Sequence, residues 1–280
     1  MSKQGAPMRE LPEIEVLRRE LEREIVGRKI KAVDVQVAAA VTRSRTKKVL
    51  ADLLEGAKIE SVRRRGLLLL IGLDDERVLV VRVGESGTFR KGGDNEAAAI
   101  TIAFTQGASL RLAELGKDAE AFVVGASELD AALPELATMG FDALDEPMTW
   151  VKFAKLVSER AEPMKKMMLD PNFIAGMGDV YIDEVLFEAG IRYDRKSDSL
   201  STQEMRRLYR SLIEVLHDAV KHRGSSIGAN GFADLAGKPG EHQDHLQVYG
   251  RDGKLSPRSR TPIKKVKYDG HWTYYCDTQV

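Results

Sequence analysis

Leu169-Asp-Pro-Asn-Phe-Ile-Ala-Gly-Met-Gly-Asp-Val-Tyr-Ile-Asp-Glu-Val-Leu-Phe-Glu-Ala-Gly-Ile191 is the stretch on which the reading of this 280-residue chain turns. Gly176 and Gly178 form a tight turn into a helical run from Asp179 to Glu188. The backbone N–H groups exposed at such a helix start can cradle a phosphate. No strand-like run leads into the turn, so the pattern is not that of a dinucleotide fold.

Around this stretch the texture is helical. Leu129 to Met139, Trp150 to Glu159 and Thr202 to Lys221 read as helices. Thr149 and Ser201 stand at N-cap positions, the latter with Glu204 three residues on in a capping box. Residues 224–247 are rich in Gly, Ser and Ala and read as a flexible loop. Two short β-like runs close the chain, Pro262 to Tyr268 and His271 to Cys276, joined by the hairpin dipeptide Asp269-Gly270.

Upstream the period changes to two. Val33, Val35 and Val37 alternate with polar residues, and strand-like runs recur at Lys58 to Val62, Leu67 to Leu73, Val78 to Val83, Ala99 to Phe104 and Ser109 to Leu112. A helical stretch at Lys47 to Leu54 interrupts them. In front stands a helix opened by Pro12, rich in Glu10, Glu13 and Glu15 at its positive end, with Ile14, Leu17, Leu21 and Ile25 on one face and Gly27 as its stop. The expected fold class is α+β: a disordered lead-in over 1–8, a β-sandwich domain with a leading helix over 9–125, a helical domain over 126–246 and a terminal hairpin over 247–280.

Composition first argues against a nucleic-acid partner, because 43 Lys and Arg are balanced by 43 Asp and Glu. The balance is uneven along the chain. Arg251, Lys254, Arg258, Arg260, Lys264, Lys265 and Lys267 crowd one segment with a single acid, Asp252, as in a phosphate-contacting finger. A lysine-rich strand edge that resists edge-to-edge pairing would look the same. The one cysteine, Cys276, excludes an intrachain disulfide and a multi-cysteine zinc site, and fits a reducing cytoplasm. No run is apolar enough for a membrane span or signal peptide.

Taken whole, Leu169 to Ile191 resembles the helix-two-turn-helix of the formamidopyrimidine-DNA glycosylase / endonuclease VIII family. Met8-Arg-Glu-Leu-Pro-Glu-Ile-Glu15 is similar to the family's N-terminal Met-Pro-Glu-Leu-Pro-Glu-Val-Glu. Leu246-Gln-Val-Tyr-Gly-Arg-Asp-Gly253 looks like the lead-in to its zinc finger. Arg223-Gly-Ser-Ser226 and Gly237-Lys-Pro-Gly240 resemble the loop that covers an extruded base. The resemblance implies that fold and a base-excision-repair ancestry.

Family members attack with the amine of an N-terminal proline, forming a Schiff base. Here the matching position is Arg9, inside a longer N-terminus, so the nucleophile is expected to be absent. The neighbouring acid is kept as Glu10, which the resemblance implies as a proton shuttle and which a helix dipole would equally favour. Glu13 also matches, as helix charge or as support for the site. The family's lysine falls on Leu67 in the run beginning Arg64-Arg65, and its intercalating methionine on Glu85 in the run beginning Arg82. The Arg-Arg-Phe-Gly loop has no counterpart.

DNA contacts implied by the resemblance are Arg64, Arg65, Arg82 and Lys165, the backbone at Gly178 with Asp179 and Tyr181, and Arg251, Arg258 and His271 of the finger. Asp179 replaces a phosphate-binding asparagine and would repel a phosphate. His271 replaces the arginine that clasps one. Ser256, Ser259, Cys276 and Gln279 stand where the family has four cysteines, so no metal and no cofactor is expected and the zinc site is read as lost. Packing of Val266, Trp272, Tyr274 and Tyr275 is expected to hold the hairpin instead. His242-x-x-His245 reads as polar surface rather than a new site.

The expected function is binding of damaged or abasic double-stranded DNA without the proline-dependent glycosylase and lyase steps. Two alternatives stay open: an active divergent glycosylase that uses Glu10 on an oxidised base, and a protein-interaction module that has lost DNA. A monomer in the cytoplasm, associated with the nucleoid and not with a membrane, is expected. No Walker loop, His-Glu-x-x-His or Gly-x-Ser-x-Gly competes.

Overall fold

The structure is a computed structural model of the whole chain that describes all residues except 1–8, 38–40, 42, 44–45, 85–86, 94–96, 115–118, 146 and 229–230. The expected lead-in over 1–8 and the Glu85 replacement lie outside the described residues. Two compact units emerge. The first holds Glu13–Thr138 with Arg223–Glu241 and the residues up to Arg9; the second holds Glu10–Pro12, Met139–His222 and His242–Val280.

Among the described residues the first unit contains most of helix α1 (Leu11–Ile25), helix α2 (Lys47–Leu54) and eight strands: β1 (Ile30–Val35), β2 (Ile59–Arg65), β3 (Leu68–Leu73), β4 (Arg77–Arg82), β5 (Thr88–Lys91), β6 (Ile100–Phe104), β7 (Leu110–Glu114) and β8 (Glu120–Gly125). They form two antiparallel four-stranded sheets, ordered β1-β6-β7-β5 and β2-β3-β4-β8. Alternation makes the sandwich. Ile100, Ile102, Leu110 and Leu112 of one sheet and Ile71, Leu79, Val81 and Ala121 of the other line one small apolar cavity with Leu50 and Leu54 of α2. Burying these branched side chains on facing sheets is the main stabilising term, at roughly 25 cal/mol per Å² removed from water.

The first unit departs from expectation at three places. The anticipated helix from Leu129 to Met139 is two single turns, α3 (Leu129–Ala132) and α4 (Glu135–Thr138). Pro134 causes the break, since it has no N–H and turns the preceding Leu133 out of helical geometry, to φ −127° and ψ 70°. Strands β5 and β8 were not anticipated. The expected flexible loop is anchored where described: Lys91 N–H donates to the Leu235 carbonyl at 2.9 Å, and Asp234 Oδ1 accepts from Ala236 and Lys238 N–H at 2.9 Å each. Arg223 bridges Glu20 and Asp234.

The second unit is built on helix α7 (Asp179–Ala189), buried on nearly every side. Around it lie α5 (Trp150–Ser158), α6 (Met164–Leu169) and α8 (Thr202–Lys221), with the hairpin β9 (Lys264–Tyr268) and β10 (His271–Tyr275). Thr149 caps α5 through Lys152 N–H, and the Ser201–Glu204 capping box is present. Gly190 ends α7 in the left-handed conformation, φ +69°. Asp269 and Gly270 take φ +47° and +86°, the pair of positive values a two-residue hairpin turn requires. No helix among the described residues is long and apolar enough to cross a membrane.

Candidate nucleic-acid interface

Helix α7 starts in the glycine turn, and its first N–H groups lack intrahelical acceptors. Glu10 takes them. Its Oε2 accepts from Gly178 N–H at 2.9 Å and Tyr181 N–H at 3.3 Å, and its Oε1 from Val180 N–H at 2.9 Å. The helix dipole adds a positive field at the same spot, so the cradle fits an ionised carboxylate. Gly178 has to be glycine, because a Cβ there would stand 2.6 Å from the Glu10 carboxyl carbon. The helix start expected to hold a phosphate therefore holds an internal carboxylate. Tyr181 enters only through its N–H, its buried ring lying 5.6 Å from that of His242.

Lys165, expected to reach a phosphate, is fully buried. From α6 its Nζ lies 2.8 Å from Asp183 and 3.1 Å from Asp179, and donates to the Trp272 carbonyl at 2.9 Å. Asp183 Oδ2 also accepts Tyr274 N–H at 2.8 Å. Burial pushes the Asp183 carboxyl up to about 7 against the pull of Lys165. Asp179 turns its other oxygen to His271, whose Nδ1 is 3.1 Å away. This chain of charges ties α6, α7 and β10 together.

In the first unit Arg9 is buried, its Nε donating to the Gly87 carbonyl at 3.3 Å and its Nη2 to the Gly231 carbonyl at 3.4 Å, over the Phe232 ring. Glu13 accepts Ser225 N–H at 2.7 Å and so holds the turn at Gly224, where φ is +75°. Arg64 turns inward, its side chain only 1% exposed and its Nε 3.0 Å from Glu15. Arg18, Arg19 and Arg64 hold the Glu15 carboxyl below its usual range against the opposing push of burial. Arg82 faces Glu120 and Glu135. Arg65 and Leu67 are half-buried where β2 turns into β3.

At the finger, Arg258 donates to the Phe187 and Glu188 carbonyls at 2.6 and 2.7 Å and so caps α7, while Arg251 donates to the Leu246 carbonyl at 2.7 Å. Both expected phosphate ligands thus bond backbone of their own unit. Three of the four cysteine-matching positions, Ser259, Cys276 and Gln279, come together. Cys276 Sγ is 3.2 Å from Ser259 Oγ and 2.8 Å from Thr261 Oγ1, and Gln279 Oε1 accepts Cys276 N–H at 2.8 Å. Ser256 is buried, and its Oγ accepts Arg258 N–H at 3.3 Å. Burial raises the thiol, but hydrogen bonds from Ser259, Thr261 and Thr278 bring it down to about 6. One thiol among hydroxyls and an amide does not fit zinc, which takes thiolate, imidazole or carboxylate ligands.

Around the hairpin the packing differs from expectation. Tyr274 and Cys276 join Ile263, Val248 and Phe187 in one cluster. Trp272 is 37% exposed, with the Lys265 ammonium 4.3 Å from its ring centre. Sequence reasoning missed Asp183 and Glu184, adjacent on α7. Glu184 accepts Gln247, Val248 and Tyr249 N–H at 2.8 to 2.9 Å, and burial pushes its carboxyl up. Two adjacent acids in mid-helix, between the apolar runs Val180–Ile182 and Val185–Phe187, were the available signal, since buried charge demands partners.

Known proteins share this fold. Residues 8–117 match the formamidopyrimidine-DNA glycosylase N-terminal domain and residues 139–230 the formamidopyrimidine-DNA glycosylase H2TH domain. The chain belongs to the formamidopyrimidine-DNA glycosylase family. It is 34% identical over 278 residues to the formamidopyrimidine-DNA glycosylase of Pelotomaculum thermopropionicum, covering 97% of this chain and 98% of that one. The crystal structure of the MutM (Fpg) protein from Thermus thermophilus superposes with a TM-score of 0.83 at 31% identity, over 96% of this chain and 97% of that one. The Lactococcus lactis Fpg in complex with DNA containing an abasic site gives 0.84 at 28% identity, over 95% and 97% of the two chains.

Proposed function

We propose that this family member binds damaged or abasic duplex DNA without carrying out the proline-dependent glycosylase and lyase steps. Arg9 carries the reading. It stands at the position of the family's proline, and its backbone nitrogen, in peptide linkage to Met8, has no basic lone pair with which to attack an anomeric carbon as a secondary amine does. Its side chain is also committed to the Gly87 and Gly231 carbonyls. Glu10 is retained, but three N–H groups of the α7 start occupy its carboxylate. Binding of abasic DNA is taken from the relatives, the Lactococcus lactis complex above all.

On this reading the finger is closed without zinc, and phosphate contacts come from its outward cations, Lys254, Arg260 and Lys267, all exposed. The test joins two measurements. Borohydride trapping on abasic and oxidised duplexes is expected to give no covalent adduct at ordinary enzyme concentration; an adduct would overturn the reading and favour an active glycosylase. Fluorescence anisotropy with intact and abasic duplex at about 50 and 200 mM salt is expected to show salt-sensitive binding that favours the abasic site. Absence of any salt slope would favour a protein-interaction module.

A further inference from the structure

We propose that Asp218, His222 and His245 form a divalent transition-metal site whose ion is Zn²⁺, tying the last turn of α8 to the turn that begins at His242. Asp218 lies in the last turn of α8 and His222, four residues on, is the residue that caps its C-terminus, their side chains 3.2 Å apart. His245 comes from the other side of the 223–241 excursion and is set by the 3₁₀ turn His242–Asp244, its N–H donating to the His242 carbonyl at 2.9 Å. Each of the three offers one ligating atom, and these atoms all lie within 4.8 Å of one another. The imidazoles of His222 and His245 stack with ring centres 3.7 Å apart and planes at 27°.

The surroundings suit a metal. His222 Nδ1 is 2.9 Å from the Asp218 backbone carbonyl oxygen and 3.2 Å from Asp218 Oδ2, contacts that orient the imidazole and leave Nε2 as the atom to ligate a metal. His242 stands behind the carboxylate, its Nε2 3.7 Å from Asp218 Oδ2. Two imidazoles and one carboxylate are a borderline-soft donor set, which selects zinc and its neighbours over Mg²⁺ or Ca²⁺. Zinc–nitrogen bonds of about 2.0–2.1 Å place tetrahedral ligands roughly 3.4 Å apart, so the donors must close in slightly on binding. His245 is exposed, so solvent can reach the fourth position of a tetrahedron.

The site is separate from the Ser256–Gln279 cluster, and the sequence half-hid it. His242-x-x-His245 is visible as a spacing, whereas Asp218 and His222 join it only when α8 ends beside that turn. Because the ligands flank residues 223–241, a bound ion closes that segment at its base. This adds a constraint absent from the unfolded chain.

The test is calorimetric titration of ZnCl₂ into the tag-free full chain after chelator treatment, with metal content read by atomic emission after dialysis. One Zn²⁺ per chain is expected, with Kd at or below the micromolar range and a rise in Tm on loading. His245→Gln and Asp218→Asn, both checked for an unchanged circular dichroism spectrum, are expected to weaken binding roughly tenfold or more. Cys276→Ser is expected to leave it unchanged. No retained Zn²⁺, equal affinity in His245→Gln, or loss confined to Cys276→Ser would each overturn the assignment, the last by placing the ion at the finger. Should Asp218→Asn alter the fold, His222→Gln serves as the second helix variant.

Discussion

His271 Nδ1 and Asp179 Oδ2 lie 3.1 Å apart, at two positions for which the resemblance in sequence implies a phosphate-contacting Arg and Asn. The two replacements therefore satisfy one another inside the protein. Restoring both, as Asp179→Asn with His271→Arg, removes a negative charge and adds a permanent positive one. Duplex affinity measured by anisotropy is expected to rise, and the salt slope to steepen by about 0.9 for each further phosphate neutralised. An unchanged slope would mean that this surface does not meet the backbone.

Glu10→Gln replaces an acceptor-only carboxylate with a group that presents N–H to N–H on one side. Leaving one of the α7 donors buried without an acceptor costs about 1–3 kcal/mol, to be read from urea unfolding. Gly178→Ala should cost as much or more, since its Cβ would meet the Glu10 carboxyl carbon at 2.6 Å. If both variants unfold like the wild type, the cradle is not holding the helix start.

Removing the buried cation is the harsher change. Lys165→Met leaves Asp183 fully buried with only the Tyr274 N–H and no counter-charge. A loss on the order of 3–5 kcal/mol is expected in denaturant unfolding. Lys165→Met with Asp183→Asn should recover part of it, because the orphaned charge goes with its partner.

Cys276 predicts a pH response. Its folded pKa of about 6 lies below its unfolded value near 9, so its contribution is fully present above pH 9 and is lost as pH falls through 6. Thiolate absorbance in the folded protein should titrate near pH 6. Stability should decline between pH 9 and 6 by on the order of 4 kcal/mol at most, at about 1.4 kcal/mol per unit. Cys276→Ala should flatten that part of the profile. A thiol midpoint at an ordinary value would refute the hydroxyl cradle.

The sandwich was legible because its strands bury one face, as in Ile100, Ile102 and Phe104, and alternation survives in the sequence. Strand β5 escaped because four residues carry too little period, and the broken helix at Pro134 was misread because its flanks keep helical composition. The internal partners of the candidate site residues were largely illegible. Lys165 sits beside Lys166 and looks like surface, and only folding brings Asp179, Asp183 and the Trp272 carbonyl to it. Arg64 and Arg258 likewise read as cations for DNA. Their partners, Glu15 and the end of α7, are 49 and about 70 residues away along the chain.

Closing the finger through Ser259, Thr261, Cys276 and Gln279 has a consequence for how this chain would live in a cell. A metal-closed finger is folded only while the metal supply lasts, and an oxidant that attacks its thiolates opens it. A hydrogen-bonded finger needs nothing from outside the chain. On the proposed reading it would mature with the polypeptide itself, independent of zinc supply, with its one sulfur fully buried. On that reading the assembly of the finger is set by the sequence alone, and metal supply would matter to this chain only away from the finger.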